Sequence, residues 1–194
     1  MDTLAHVVAG MLLCSKTGLP GGRVGAVDRE GRRKRWDMTL WAAGGFAFLP
    51  DMSSFGLLLA QRVITGTFTA GKPELDEIPA YVFFNYNLTH SLVVAAVVVL
   101  LVWRFARPLR LPVLAWPLHI LCDIPMHGKE YFPTPFLYPL SDYTFDGWGF
   151  GAHPGIIYGY WLVILLLFAA VVLMRRRPGD SGGVVAGKLG AEEQ

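Results

Sequence analysis

Long stretches without a charged residue are the feature that most constrains this chain. Residues 78–103 and 147–174 contain no Asp, Glu, Lys or Arg. A helix needs about 20 mostly apolar residues to cross the hydrocarbon core of a bilayer, which is about 30 Å thick. Both stretches exceed that length, and the clearest spans that they predict are residues 88–105 and 155–174. The sequence therefore predicts a membrane protein.

The composition supports the same class and excludes others. Charged residues make up 16% of the chain, against about 25% in an ordinary soluble domain. Half of the 32 charges fall in residues 21–37 and 175–194, so the rest is nearly charge-free. A hydrophobic content of 53% excludes a disordered chain, and two cysteines exclude a disulfide scaffold. The basic residues flank apolar segments, so we expect no nucleic-acid partner.

Three further apolar segments complete the predicted architecture. Residues 38–61 include one charge, Asp51, and residues 111–122 reach a sufficient length only by including Asp123. Residues 3–18 are barely long enough and could instead form a tilted or re-entrant helix. We predict an all-α, polytopic membrane bundle of about five transmembrane segments. It comprises a membrane domain at 1–174, a cytoplasmic basic loop at 19–37, outer loops at 62–87 and 127–153, and a disordered cytoplasmic tail at 175–194.

The basic residues predict the orientation of the bundle. With five spans, 14 of the 17 Lys and Arg residues fall on one side and three, Arg62, Lys72 and Lys129, on the other. Lys and Arg collect in cytoplasmic connections, because positively charged loops are retained on that side. The N-terminus is therefore expected outside and the C-terminus in the cytoplasm.

Ionisable residues within these segments are the candidate functional residues, because burying them in lipid is costly. The candidates are His6, Asp51, His90, His119 and Asp123, with His127 and His153 at the outer boundary. Asp51 lies about 20 Å from the cytoplasmic end of its segment, and the others fall in the outer parts of theirs. The sequence predicts that the five groups meet in the outer half of the bilayer.

One pair has the spacing of a helix face. His119 and Asp123 are four residues apart, and His127 continues the series if Pro125 only kinks the helix. Imidazole and carboxylate groups suit zinc or another divalent metal, whose charge would compensate the two buried aspartates. No intramembrane Lys or Arg is available to pair with them. For His127 and His153, a solvated loop histidine is an equally good interpretation.

The same residues carry a resemblance to a known family. The matching pieces are Asp2-Thr3-Leu4-Ala5-His6 with Gly10, Leu49-Pro50-Asp51, Thr89-His90-Ser91, His119-Ile120-Leu121-Cys122-Asp123, and Thr134-Pro135-Phe136-Leu137-Tyr138-Pro139-Leu140-Ser141. In this order they resemble the membrane-bound, metal-dependent hydrolases of the YdjM type, small proteins of the bacterial inner membrane. That family shares a distant pattern with zinc-dependent phospholipase C and the P1-type nucleases.

The resemblance implies roles for individual residues. It implies that Asp51, His90, His119 and Asp123 surround one zinc ion, and that His6 helps to hold a second. From its position after Asp123, His127 is a further candidate for the second ion. The resemblance also implies that Asp51 and Asp123 are catalytic, with Asp51 as the general base. The family's later His-x-x-x-Glu pair is missing, since Ile157 follows His153 at that spacing. A trinuclear site is therefore not expected.

The expected function is hydrolysis of a phosphoester or lipid-like substrate by a metal-activated water in the outer half of an inner membrane. Membrane lipid and a small-molecule or lipid substrate are the expected partners. A non-enzymatic metal-binding or transport protein would present the same ligands, and a haem protein would use paired histidines without carboxylates. The aromatic residues of 127–153 fit an interfacial belt or a cover over the site. Cys14 and Cys122 are expected near opposite faces, too far apart to pair.

Overall fold

The computed structural model describes residues 1–27, 29–30, 33–149, 151 and 153–176, and this part of the chain is mostly helical. Its helices are α1 (Thr3–Leu13), α2 (Met38–Asp51), α3 (Leu57–Ile64), α4 (Ala80–Thr89), α5 (Leu92–Phe105), α6 (Ala115–Met126) and α7 (Pro154–Arg176). Strands β1 (Arg23–Val27) and β2 (Arg33–Trp36) form one hairpin. The helical class is confirmed. Of the predicted tail at 175–194, residues 177–194 lie outside the described part.

The prediction of five membrane spans is wrong for the described residues. Two helical stretches, Met38–Ile64 and Pro154–Met174, are long and apolar enough to cross a membrane. Helices α4 and α5 count as a third if the pair, which is bent by 57°, is taken as one span. The remaining apolar helices are shorter. At about 1.5 Å per residue, α1 is about 17 Å long and Pro112–Met126 about 22 Å long. Both are shorter than the thickness of the bilayer core, which is about 30 Å.

The predicted basic loop at 19–37 contains the hairpin, which the sequence analysis missed. Arg23 pairs with Trp36, and the Arg23 guanidinium lies 4.6 Å from the centre of that ring. Asp37 then begins α2, where its Oδ1 accepts a hydrogen bond from the Thr39 amide. Its Oδ2 accepts from the amide and hydroxyl of Thr17, which ties the end of the hairpin to the segment after α1.

The predicted loop at 62–87 and span at 88–105 also need correction. Helix α4 begins at Ala80, and the chain bends between Thr89 and Leu92. Ser91 explains the break, because its hydroxyl accepts from the amides of Val93 and Val94 and so caps the start of α5. The bend places His90 between two helices rather than within one.

Small residues bring three helices into close contact below the candidate site. A Cβ atom on Gly10 of α1 would lie 2.7 Å from the Cβ of Ala47 in α2 and 3.1 Å from the Cβ of Ala115. Ala43, Ala47 and Ala115 are fully buried in this contact. Only small side chains separate the helix backbones here. The polar residues that lie one to two turns away on the same side, such as His6, Asp51 and His119, are therefore close to one another.

The 127–153 loop packs against the end of the bundle that carries Asp51. The Leu92 amide donates to the Phe136 carbonyl over 2.9 Å, and the Trp148 amide donates to the Pro125 carbonyl over 2.9 Å. Phe132 is buried, whereas Tyr143 and Trp148 are exposed. The loop thus covers the helix ends with part of its aromatic set and leaves the remainder accessible.

Candidate metal centre

Four ionisable side chains converge from three parts of the fold. Asp51 is the last residue of α2, where the helix passes into the π-helical turn Met52–Gly56. His90 occupies the break between α4 and α5. His119 and Asp123 lie four residues apart on α6, so they project from the same face. The structure thus brings together four of the residues that the sequence singled out.

The distances within the cluster are short and similar. His119 Nε2 lies 3.3 Å from His90 Nε2, 3.1 Å from Asp123 Oδ2 and 3.6 Å from Asp51 Oδ1. His90 Nε2 lies 3.6 Å from Asp51 Oδ1 and 3.6 Å from Asp123 Oδ2. Each residue therefore offers one atom to a common centre, and the four could bind a metal ion.

Backbone carbonyls hold both imidazole rings in place. His119 Nδ1 donates to the Ala47 carbonyl over 2.7 Å, and His90 Nδ1 donates to the Tyr86 carbonyl over 3.1 Å. A carbonyl can only accept, so each Nδ1 carries the ring proton. In the neutral rings both Nε2 lone pairs then face the centre, as in metal sites where the outer nitrogen is fixed by a second hydrogen bond.

Burial makes the convergence costly without a compensating cation. His90, His119 and Asp123 are at most 1% exposed. Two imidazole lone pairs and two carboxylate oxygens are all acceptors, and such groups repel one another in a medium of low polarity. Asp51 is the most accessible member, with 17% of its side chain exposed. The centre therefore suits a divalent cation that is reached from the Asp51 side.

The second oxygen of Asp123 faces a different set of groups. Asp123 Oδ1 lies 2.5 Å from the Met1 amino group, 2.9 Å from His6 Nε2 and 3.4 Å from His127 Nε2. The His6 ring stacks on His119 with centroids 3.7 Å apart, and His6 Nδ1 is buried without a hydrogen-bond partner. His6 and His127 thus adjoin the four-residue centre through Asp123 but are not members of it.

Other predicted candidates lie away from the centre or at its edge. Helix α6 ends at Met126, so His127 has an extended backbone and does not continue the helix. His153 is exposed at the start of α7. Cys14 and Cys122 are free thiols. The second-ion role of His6 and His127 stays a prediction.

Supporting residues around the centre were missed by the sequence analysis. The Thr3 hydroxyl donates to Asp51 Oδ2 over 2.5 Å, and the Tyr86 ring stacks on His90 with centroids 3.9 Å apart. Asp2 accepts from Tyr160 over 2.5 Å and from Trp161 over 3.0 Å, which fastens the start of α1 to α7. Spacing offered a signal, since Tyr86 precedes His90 by one helical turn. Nothing in the sequence links Asp2 to a helix 158 residues away.

Comparisons of the chain with protein-family models, curated proteins and solved structures found no match.

Proposed function

We propose that this protein is a membrane-bound, metal-dependent hydrolase whose centre holds zinc. In a tetrahedral site the ligands are separated by about 1.6 bond lengths, so zinc bonds of about 2.0–2.2 Å require separations of about 3.3–3.6 Å. Of the five separations given above, four are 3.3 to 3.6 Å, and the separation between His119 Nε2 and Asp123 Oδ2 is slightly shorter, at 3.1 Å. This match between the donor atoms and a tetrahedral ion is the observation that carries the proposal.

The donor chemistry agrees with that metal. Two neutral imidazoles and two carboxylates form a nitrogen–oxygen set typical of zinc, and the two negative charges balance a divalent ion. Haem is a poorer fit, because nitrogens 3.3 Å apart are too close to lie on opposite faces of a porphyrin.

We assign different roles to the two carboxylates of the centre, Asp51 and Asp123. A divalent ion supplies Lewis acidity, which lowers the pKa of a bound water and stabilises charge that develops on a phosphoryl oxygen. Asp51 is the base that we assign, because it is the most exposed carboxylate of the centre and faces it with Oδ1. Thr3 holds Oδ2 by its hydroxyl and so orients the other oxygen. Asp123 is fixed by the groups around its Oδ1 and acts as a buried ligand.

The membrane context belongs to the same proposal. The sequence motifs resemble YdjM-type hydrolases of the bacterial inner membrane, whose soluble relatives cleave phosphoesters. A centre in the outer half of the bilayer, with the N-terminus outside, is part of the proposal and follows from the charge asymmetry only if α1 and residues 112–126 also cross the membrane. A phosphoester or lipid-like molecule is the substrate class that follows, with membrane lipid as the surrounding partner.

A non-enzymatic metal-binding or transport protein is the second candidate. Four protein ligands already complete a tetrahedral set, whereas catalytic zinc sites keep one position open. Three of the four ligands are buried, which favours tight binding of the metal ion and therefore also fits a binding protein. Catalysis would therefore require one protein ligand to give way to water or substrate, and Asp51 is the accessible ligand.

The test is a substrate screen of purified, zinc-loaded protein on a phosphomonoester, a phosphodiester and a phospholipid. We expect turnover of at least one, and a fall of about 10²- to 10⁴-fold in Asp51→Asn with metal content kept, because Asn retains an oxygen donor but cannot accept the proton. Asp142→Asn is the matched control, since Asp142 is exposed in the 127–153 loop. A full metal complement without any turnover in wild type would favour the binding or transport function.

A further inference from the structure

An apolar groove runs along α1 and α2 and ends beside Asp51. It encloses about 510 Å³ between a stripe on α1, which includes Thr3, Val7 and Met11, and a stripe on α2, which includes Trp41 and Gly45. Each stripe repeats every three to four residues, so it follows one helix face. Gly45 keeps the floor of the groove open, because a Cβ atom there would meet nothing within 4 Å.

One end of the groove lies next to the metal centre, and Thr3 connects the two. Thr3 and Met52 line this end, and the Thr3 hydroxyl donates to Asp51 Oδ2 over 2.5 Å. Asp51 is also the most exposed ligand. A molecule in the groove would therefore place its terminal group next to the one carboxylate that a substrate can approach.

The dimensions of the groove select its occupant. From Thr3 to Met11 the rise is about 12 Å, and from Trp41 to Met52 about 16 Å, which is roughly the depth of one bilayer leaflet. A helix about 10 Å wide and 12 Å long would fill about 900 Å³, so the groove is too small to enclose one. A single alkyl chain has the right length and polarity.

We propose that this groove, lined on α1 and α2, holds one acyl chain of a phospholipid and presents the phosphate-bearing head to the metal centre. This inference rests on the proposed function and narrows its substrate class to a lipid anchored by its chain. The remaining acyl chain stays in the bilayer, because the groove is open on its lipid-facing side, where Leu4 and Trp41 are exposed.

The experiment uses the full chain in vesicles of a phosphate-free glycolipid that contain a small fraction of phosphatidylglycerol with a diazirine in mid-chain. After illumination, cross-links are mapped by mass spectrometry. We expect labelling at Met11 and Trp41 to exceed labelling of the exposed α7 face at least 10-fold. Excess phosphatidylglycerol should suppress it, whereas diacylglycerol, which lacks the phosphate, should not.

A filled groove provides the matched variant. Gly45→Leu should reduce this labelling at least 10-fold, and Gly159→Leu on α7 should leave it unchanged, since both glycines are exposed with no atom within 4 Å of a Cβ. Labelling that matches the α7 face or persists in Gly45→Leu would overturn the proposal, as would equal competition by diacylglycerol. A second copy of the chain in the groove would appear as protein–protein cross-links and would overturn it too.

Metal content and hydrolysis of a water-soluble phosphodiester separate this inference from the proposed function. Gly45→Leu should bind metal and cleave the soluble substrate as wild type does, while phospholipid turnover falls at least 10-fold. If wild type cleaves neither substrate but the groove labels as expected, the proposed hydrolase fails and the lipid site stands. If the soluble substrate is cleaved and the groove does not label, the lipid site alone fails.

Discussion

His90 Nε2 and His119 Nε2 lie 3.3 Å apart, although His90 is in the break between α4 and α5, His119 is on α6, and each ring is fixed by a different backbone carbonyl. The carbonyl that orients His119 belongs to Ala47 of α2, and the one that orients His90 belongs to Tyr86 of α4. The donor geometry therefore exists only when α2, α4 and α6 are packed together. Metal binding and helix packing should be coupled, because an ion that binds only the packed state stabilises it.

The hydrogen bond from Thr3 to Asp51 should tune the centre. Thr3→Val keeps the side-chain shape and removes the hydroxyl, so Asp51 loses the group that fixes Oδ2. We expect metal affinity or turnover to fall about 10- to 100-fold, as for other outer-shell partners of metal ligands. Competition with a zinc-binding dye measures the affinity. Thr3→Ser should restore it, and a Val variant that binds metal as tightly as wild type would remove Thr3 from the site.

Close packing at Gly10 should set both stability and metal content. Gly10→Ala places a Cβ 2.7 Å from the Ala47 Cβ, so α1 must move away from α2. We expect a destabilisation of about 1–3 kcal/mol from overpacking, measured by thermal unfolding in detergent, together with weaker metal binding. Gly159→Ala is the control, because its Cβ meets open space. Equal stability of the two variants would contradict the packing account.

The site was more predictable than the architecture that holds it. The cost of burying an ionisable group in lipid was enough to select Asp51, His90, His119 and Asp123, since each lies in a mostly apolar stretch. The count of spans failed because apolar length in sequence does not reveal where a helix stops. Helix α4 ends at Thr89 and Ser91 caps the start of α5, and α1 ends at Leu13, just before Ser15.

The hairpin illustrates a second limit. The sequence did not reveal its strands because residues 23–36 are rich in Arg and Lys, and dense charge favours a loop interpretation over a strand. The contacts that fix it are specific and non-local, such as those of Asp37 with Thr17. The hydrogen bond between Asp2 and Tyr160, which fastens the start of α1 to α7, could not be predicted for the same reason, because it joins residues far apart in the sequence.

The link between Asp37 and Thr17 should make stability depend on pH. Burial acts to raise the pKa of Asp37, but the hydrogen bonds that it accepts from Thr39 and Thr17 outweigh burial and hold the pKa below its ordinary value. A depressed folded-state pKa stabilises the protein above the unfolded value of about 3.9, and the contribution is lost as the pH falls through the folded value.

We therefore expect Asp37→Asn to lower the free energy of unfolding by about 1–3 kcal/mol at neutral pH, as for other hydrogen bonds to a charged group. The deficit should shrink as the pH approaches 3. Thermal unfolding of both proteins between pH 7 and pH 3 measures it. A deficit that is constant over this range would mean that the carboxylate charge contributes nothing to the link.

Cysteine labelling should establish the orientation. In a background with Cys14 and Cys122 replaced by alanine, Ser141→Cys in the 127–153 loop should react with an impermeant maleimide from outside the cell. Ser181→Cys should react only after the membrane is opened. This pattern follows from 14 basic residues on the cytoplasmic side against three on the other, a count that applies if α1 and residues 112–126 also cross the membrane. The reverse pattern would place the centre in the cytoplasmic half and contradict the depth argument.

The metal content of the detergent-purified protein tests the central claim most directly. Elemental analysis should find about one equivalent of zinc per chain in wild type, and well below one in His119→Ala and in Asp123→Ala, because too few ligands remain. The exposed His153→Ala should retain the wild-type amount. Circular dichroism confirms that each variant is helical. Full metal content in folded His119→Ala and Asp123→Ala, or none in wild type purified with zinc present, would contradict the metal centre.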